Sequence, residues 1–84
     1  RKVDFVFRYG GEEFLVLLPS SDLQMASSTA DRLREKLAET TDPKVTMSAG
    51  VSIWSGEDAT HFIQKTDHLL YEAKGRGKNR VEAE

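Results

Sequence analysis

The sequence contains no cysteine, which excludes disulfide bonds and zinc sites built from thiolates. It also has no apolar run approaching the roughly 20 residues that a membrane-spanning helix needs, and no signal-peptide pattern at its start. A surplus of one charge is lacking too, because 12 basic residues are interspersed with 14 acidic ones. We therefore expect a cytoplasmic segment without nucleic-acid or membrane contact, although other domains of a parent protein can still carry a membrane anchor.

The composition is that of one small globular domain. The 84 residues are 38% hydrophobic and 31% charged, and the chain is too short for two domains. It opens directly on an apolar alternation at residues 3–7, without the loose polar residues that usually precede a domain. We expect from this that the chain starts inside a domain.

The first part of the chain has the pattern of a β-hairpin. Residues 3–7 and 13–18 are rich in β-branched and aromatic side chains, as strands are. Between them, Gly10 and Gly11 supply the positive φ angles that tight hairpin turns need. The sequence therefore predicts two antiparallel strands joined at this turn.

Two helices are predicted from apolar residues at spacings of three and four. The first has N-cap side chains at residues 20–22 and ends at residues 40–43. Its apolar stripe comprises Leu23, Ala26, Ala30, Leu33 and Leu37, opposite a polar face of Ser28, Arg32, Glu35 and Glu39. The second buries Ala59, Phe62, Ile63, Leu70 and Ala73, and ends at Lys74 with Gly75 as a left-handed cap.

A further strand is predicted between the helices, because apolar and polar residues alternate over residues 45–53. Residues 80–82 can add a last short strand. The predicted order is strand, strand, helix, strand, helix, short strand. That order defines an α+β fold with an antiparallel hairpin, and we expect both helices on one face of the sheet.

Two adjacent carboxylates, Glu12 and Glu13, stand at the predicted hairpin tip. Hard cations such as Mg²⁺ prefer carboxylate oxygens and retain substrate phosphates as further ligands. Gly10 and Gly11 let the backbone approach a phosphate, since no Cβ is in the way. Taken alone, however, the motif is explained more simply by an ordinary hairpin with two solvated glutamates.

Four basic residues near the end of the chain allow two interpretations; they are Lys74, Arg76, Lys78 and Arg80. They can complement the negative end of the second helix, or they can bind the terminal phosphates of a nucleotide. Composition alone does not decide between the two.

Other chemistry has less support. His61 and His68 can share a helix face, but no third nitrogen or sulfur ligand accompanies them for zinc. Ser48 has no credible set of His and Asp partners for a hydrolase triad. Arg1 and Asp4 would point to opposite faces of a strand, so taken alone they are surface residues.

Together these segments resemble the GGDEF family of diguanylate cyclases. Residues 8–14 resemble the family signature in its GGEEF form, and residues 45–52 resemble a later strand of the family. Its closing segment is matched by Asp67, Leu70, Tyr71, Ala73, Lys74 and residues 77–81. The family usually has alanine where Thr66 stands and often arginine where Lys78 stands, and lysine lacks the bidentate phosphate geometry of arginine.

The resemblance assigns roles to the matched residues. Glu12 would bind Mg²⁺ or Mn²⁺, and Glu13 would assist metal binding or activate the attacking hydroxyl. Gly10 and Gly11 would let the hairpin lie against the nucleotide. The terminal phosphates of GTP would be contacted by Lys74 and Lys78. An inhibitory site for the product, cyclic di-GMP, would comprise Arg1, Asp4 and, as a candidate third member, Arg32.

The resemblance also implies a palm-type nucleotidyl cyclase (ferredoxin-like) fold, of which residues 1–84 would be only the C-terminal half. The first half would hold a strand with the other metal-binding Asp, lying between the hairpin and residues 45–53, and the residues that read guanine. The parent protein would condense two GTP into cyclic di-GMP and pyrophosphate between two such domains, as a homodimer. The isolated segment would be inactive.

Two alternatives stay open at this point. The domain can be catalytically silent and bind cyclic di-GMP or GTP as a sensor, or it can be an α+β interaction domain whose hairpin has no chemistry. Binding measurements beside an activity assay separate the first alternative from an enzyme.

Overall fold

The computed structural model describes residues 5–8 and 13–84 of the chain. In this part, the elements are β1 (Phe5–Arg8), β2 (Phe14–Leu17), α1 (Leu23–Thr40), β3 (Ala49–Val51), α2 (Ala59–Gly75) and β4 (Val81–Ala83). Their types and order confirm the predicted α+β arrangement. Neither helix is long and apolar enough to cross a membrane.

The first two strands form the predicted antiparallel hairpin. Their register runs from Phe5 opposite Leu17 to Arg8 opposite Phe14. The predicted Gly-Gly turn itself lies outside the described residues. Among the described strands, β2 pairs only with β1, so its other edge is open to a further strand.

Helix α1 begins where its capping residue predicts. The Asp22 carboxylate accepts a hydrogen bond from the Met25 N–H at 2.8 Å, which satisfies one of the free donors of the first turn. Ala26 is buried, but Leu33 of the predicted apolar stripe is 51% exposed. The stripe is only partly covered because α1 packs on just two short strands, β3 and β4.

Strands β3 and β4 lie side by side and parallel, with α2 as the crossover between them. Three residue pairs align, from Ala49 opposite Val81 to Val51 opposite Ala83. The predicted strand over residues 45–53 was therefore too long. Alternating hydrophobicity indicates which side chains of a segment are half-buried. A strand is instead defined by backbone hydrogen bonds to a neighbouring strand, and here these bonds pair only three residues of β3 with β4.

The two helices cover opposite faces of this small sheet, which corrects the expectation of a single face. Both contact β3 and β4, and they do not contact each other. Gly50 points towards α2, whereas Val81 and Ala83 line a groove beside Asp31 of α1. Gly50 pairs with Glu82, and the neighbours of Glu82 in β4, Val81 and Ala83, point to the opposite face of the sheet. One helix therefore lies on each side.

The buried core of the described residues is small and comprises Ala26, Leu69 and Ala73. Leu69 was missed as a core residue, while Ala59, expected inside, is exposed. Ala59 is the first residue of α2, and the sheet is too short to reach that end. Thr66, where the family that the sequence resembles usually has alanine, donates to the Phe62 carbonyl oxygen at 2.9 Å and also hydrogen-bonds the Ser52 hydroxyl.

The end of α2 lies slightly later than predicted. Gly75 is still helical, Arg76 is the C-cap, and the glycine with positive φ is Gly77, at 120°. The Lys78 N–H then donates to the Ala73 carbonyl oxygen at 3.0 Å. This bond is the six-residue closure of a Schellman motif, which needs a glycine-like conformation just past the cap.

The loop after β3 is tied to α2 by a carboxylate. Glu57 accepts from the Ser55 N–H at 2.6 Å and from the Lys65 ammonium at 2.7 Å, and Trp54 donates its indole N–H to the Glu57 carbonyl oxygen. Lys65 also donates to the Ile53 carbonyl oxygen at 2.9 Å. The Lys65 ammonium, followed by the Ser55 N–H, lowers the pKa of Glu57 from its ordinary value of 4.5 to about 2.

We expect Gly50→Ala to destabilise the protein by about 2 kcal/mol or more. A Cβ at this position would stand 2.4 Å from both the Leu70 nitrogen and the Thr66 oxygen, and these backbone atoms cannot move aside cheaply. Urea denaturation measures the loss. Gly75→Ala is the matched control, since a Cβ there meets nothing within 4 Å, and it should stabilise by roughly 0.5 kcal/mol.

We expect the stabilising effect of Glu57 to depend on pH. Because its pKa is lower in the folded protein, the effect is complete above pH 4.5 and is lost as the pH falls towards about 2. The measurement is urea denaturation of the protein and of its Glu57→Gln variant across this range. The two free energies of unfolding should differ at neutral pH and converge in acid; a constant difference would contradict the ion-pair explanation.

Candidate nucleotide and metal site

Four of the residues predicted for the site are described by the structure: Glu13, Arg32, Lys74 and Lys78. The other predicted site residues lie outside the described part of the chain; they are Arg1, Asp4, Gly10, Gly11 and Glu12. Their assigned roles stay predictions.

Glu13 and Lys74 meet although they are far apart in the sequence. Glu13 directly precedes β2, and Lys74 lies in the last turn of α2. The Lys74 ammonium lies 3.7 Å from Glu13 Oε2, and the two side chains are 49% and 38% exposed. The structure thus brings one predicted metal ligand beside one predicted phosphate ligand, and both remain accessible to a ligand.

Lys78 is carried by the turn after α2. Its backbone has a φ of 61°, and Asn79 follows at 48°, so two consecutive residues adopt the left-handed conformation. That conformation is unfavourable for lysine and better tolerated by asparagine. The Lys78 side chain is exposed, as a side chain that binds phosphate in a cleft must be.

Side chains from two other segments hold this turn, and no sequence pattern indicated them. Arg34 of α1 donates through Nε to Asp31 at 2.8 Å and through Nη1 to the Asn79 side-chain oxygen at 3.1 Å. The Asn79 N–H in turn donates to the Ser48 hydroxyl at 3.2 Å. In the sequence, only the polar face of the first helix and an isolated serine, Ser48, could be seen. Neither feature indicates which residue the side chain contacts.

The other basic residues of the closing segment differ in their surroundings. Arg76 forms an ion pair with Glu82 of β4 at 3.0 Å, which attaches the end of α2 to the strand that follows it. Arg80 is exposed and directly precedes β4. The ion pair gives Arg76 a structural function, whereas phosphate binding by Lys74 and Lys78 stays a prediction.

Arg32 lies apart from these residues. It is exposed on the polar face of α1, where it lines a shallow groove with Glu35, Lys36 and Glu39. Its described hydrogen bond is to the Thr29 hydroxyl at 3.5 Å on the same helix. The structure does not bring Arg32 to Glu13 or Lys74, so any role it has belongs to a different surface.

The chemistry of the site fits a divalent cation in one respect. Glu13 offers a partly exposed carboxylate, the ligand type that Mg²⁺ and Mn²⁺ prefer. Among residues 5–8 and 13–84, no group of three or more His, Asp or Glu side chains is arranged to hold a metal. Completion of a metal site would therefore need ligands beyond the described residues, with Glu12 as the adjacent candidate.

The histidines pair with carboxylates on their own helix. His61 Nδ1 lies 2.8 Å from Asp58, the N-cap residue of α2, and His68 Nε2 lies 3.4 Å from Glu72. The His61 and His68 side chains are 71% and 70% exposed. These are local contacts along α2 and do not converge on the residues of the candidate site.

The comparisons with known proteins point to one family. The family model described as "Diguanylate cyclase, GGDEF domain" matches residues 1–80. The chain is 42% identical over 85 residues to diguanylate cyclase DgcM of Escherichia coli strain K12, covering 96% of this chain and 21% of that protein. It is 39% identical over 89 residues to diguanylate cyclase A of Treponema denticola, covering 96% of this chain and 24% of that protein.

A solved structure agrees with these relatives. The active GGEEF domain of a diguanylate cyclase from Vibrio cholerae superposes with a TM-score of 0.82 at 30% sequence identity. The match covers 95% of this chain and 55% of that chain. The chain thus spans about half of the matched domain structure and less than a quarter of the two curated relatives.

We expect Glu13→Gln and Lys74→Gln each to change the free energy of unfolding by less than about 0.5 kcal/mol, because exposed ion pairs contribute little. Urea denaturation of the purified protein tests this. Lys65→Gln is the matched control, since it breaks the shorter and less exposed pair with Glu57 and should cost more. A loss above 1 kcal/mol for Glu13→Gln would mean that the pair with Lys74 is structural.

Proposed function

The chain belongs to the GGDEF family of diguanylate cyclase domains, and from this we propose that the protein carrying it condenses two GTP molecules into cyclic di-GMP and pyrophosphate. The observation that carries the proposal is the meeting of Glu13 and Lys74, 3.7 Å apart and accessible, at the end of the hairpin. A carboxylate and an ammonium side by side suit a substrate that arrives as a metal-bound triphosphate.

In the proposed reaction, the 3′-hydroxyl of one GTP attacks the α-phosphorus of the other. The new bond joins that oxygen to the α-phosphorus, the bond from this phosphorus to the oxygen that bridges it to the β-phosphorus breaks, and one pyrophosphate leaves. The same step between the other 3′-hydroxyl and the other α-phosphorus closes the ring and releases the second pyrophosphate. In this proposal, Glu13 helps to bind the metal or accepts the proton of the attacking hydroxyl. Lys74 and Lys78 hold the terminal phosphates of the bound GTP.

The proposed cofactor is Mg²⁺ or Mn²⁺, held by Glu13 and by Glu12. When bound, the cation supplies neutralisation of phosphate charge. The residues of this chain orient the phosphates and hold the proton of the hydroxyl. Each domain would bind one GTP, so catalysis would need two domains facing each other, as in a homodimer.

We further propose that residues 1–84 form the C-terminal half of the domain and that a strand from its first half lies between β2 and β3. Within the described residues, β2 pairs only with β1, and β3 only with β4. One face of the hairpin is also uncovered, with Val6 65%, Phe14 64% and Val16 43% exposed. A strand between the two small sheets would pair both open edges and cover this apolar face.

A regulatory site for the product would lie apart from the catalytic residues. Arg1 and Asp4 would bind cyclic di-GMP, with Arg32 as a third contact. Arg32 supports this role by its exposure on α1, away from Glu13 and Lys74, because an inhibitory site has to be separate from the catalytic one. Guanidinium groups suit the phosphates and guanine bases of the dinucleotide.

The test is turnover by the intact domain. With GTP and Mg²⁺ under conditions that favour dimers, we expect cyclic di-GMP and pyrophosphate, separated and quantified by chromatography. Glu13→Gln should lower kcat at least about a hundredfold, the range for loss of general acid–base help, without changing the melting temperature. Residues 1–84 alone should make no product.

Each other outcome contradicts a named part of the proposal. Binding of GTP or cyclic di-GMP in calorimetry without turnover would favour a sensor domain. Full turnover by Glu13→Gln would reject the role of this carboxylate. Synthesis by residues 1–84 alone would show that the site needs no further strand.

A further inference from the structure

The turn of residues 76–80 is hydrogen-bonded by residues from two distant parts of the chain. Arg34 reaches it from α1 through a 3.1 Å hydrogen bond to the Asn79 side chain, across 45 residues of sequence. Ser48, which directly precedes β3, accepts the Asn79 N–H at 3.2 Å, across 31 residues. Asn79 therefore joins α1, β3 and the end of α2 at one point.

The same turn is the one that presents Lys78. Lys78 and Asn79 both have a positive φ, which a lysine does not adopt readily on its own. The hydrogen bond from the Lys78 N–H to Ala73 fixes one side of the turn, and the contacts of Asn79 fix the other. Without the second set, the turn could relax and Lys78 would move relative to Lys74.

Arg34 is suited to this task because a guanidinium can use two donors at once. Its Nε is occupied by Asp31 at 2.8 Å, which fixes the side chain on α1, and its Nη1 is then directed at Asn79. The side chain is only 21% exposed. Its charge is already neutralised by Asp31, so Arg34 acts on a ligand through Asn79 and not by direct contact.

We propose that Arg34 is a positioning residue for nucleotide binding: through Asn79 it sets the place of Lys78 and thereby the affinity for the terminal phosphates of GTP. The inference rests on the proposed function of Lys78 and adds a residue outside the family signature. Because the phosphates are bound in both the ground state and the transition state, its loss affects KM more than kcat.

The experiment uses the intact protein that carries this chain and compares four variants: Arg34→Ala, Asn79→Gly, the two combined, and the control Lys36→Ala. Asn79→Gly keeps the left-handed turn accessible and removes only the side-chain acceptor. Lys36 is an exposed residue of the same helix. The readouts are KM and kcat for GTP, and the ratio of GTP to GMP affinity by calorimetry, which isolates the contribution of the terminal phosphates.

We expect Arg34→Ala and Asn79→Gly each to raise KM about tenfold, the cost of one weakened hydrogen bond to a charged group, with kcat changed less than about twofold. The preference for GTP over GMP should fall by the same factor. The double variant should be no worse than either single one, because both remove the same contact. Lys36→Ala should match the unsubstituted protein.

The failures of the two proposals are distinguishable. An unsubstituted protein that neither binds nor converts GTP would overturn the proposed function. Normal handling of GTP, with both single variants preferring GTP over GMP as strongly as Lys36→Ala does, would overturn the positioning role alone. Additive losses in the double variant would also overturn it, and so would a fall in kcat at constant KM.

Discussion

Helix α2 can pack closely on β3 because residue 50 is a glycine and has no side chain. The Leu70 nitrogen and the Thr66 oxygen lie so close to this residue that no Cβ can be accommodated between the strand and the helix. This close approach lets the backbone of α2 at residues 66–70 pack directly on β3. Lys74 lies in the last turn of α2, and Lys78 lies in the turn that follows the C-cap Arg76. The helix that carries the proposed phosphate ligands is thus held in place by a glycine that has no proposed contact with phosphate.

Local patterns in the sequence predicted the local features of this fold. The order of elements, the Asp22 cap and the polar face of α1 follow from spacing and capping chemistry, which act within a few residues. The exposure of Leu33, the burial of Leu69 and the placement of α1 and α2 on opposite faces were not predicted. These depend on which surface lies opposite each helix, and hydrophobic periodicity does not carry that information.

Some features of the candidate site were also predicted from the sequence, and others were not. The pairing of Glu13 with Lys74 agrees with the roles that family resemblance gave both residues, while the roles of Glu12, Arg1 and Asp4 stay predictions. The contacts of Arg34, Asn79 and Ser48 had no counterpart in the sequence analysis. The hydrogen bonds from Arg34 to Asn79 and from Asn79 to Ser48 join residues at least 31 positions apart. Nothing in the sequence near Arg34 indicates that its partner is Asn79.

The loop after β3 contains the only tryptophan of the chain. The Trp54 indole hydrogen-bonds the Glu57 carbonyl, and the carboxylate of Glu57 is bound by Lys65 of α2, so the ring is mechanically linked to the helix that rests on Gly50. At 61% exposed, it is also open to quenchers. Its intrinsic fluorescence therefore reports, without any added label, whether α2 is packed on β3, from a position at the other end of the helix from Lys74.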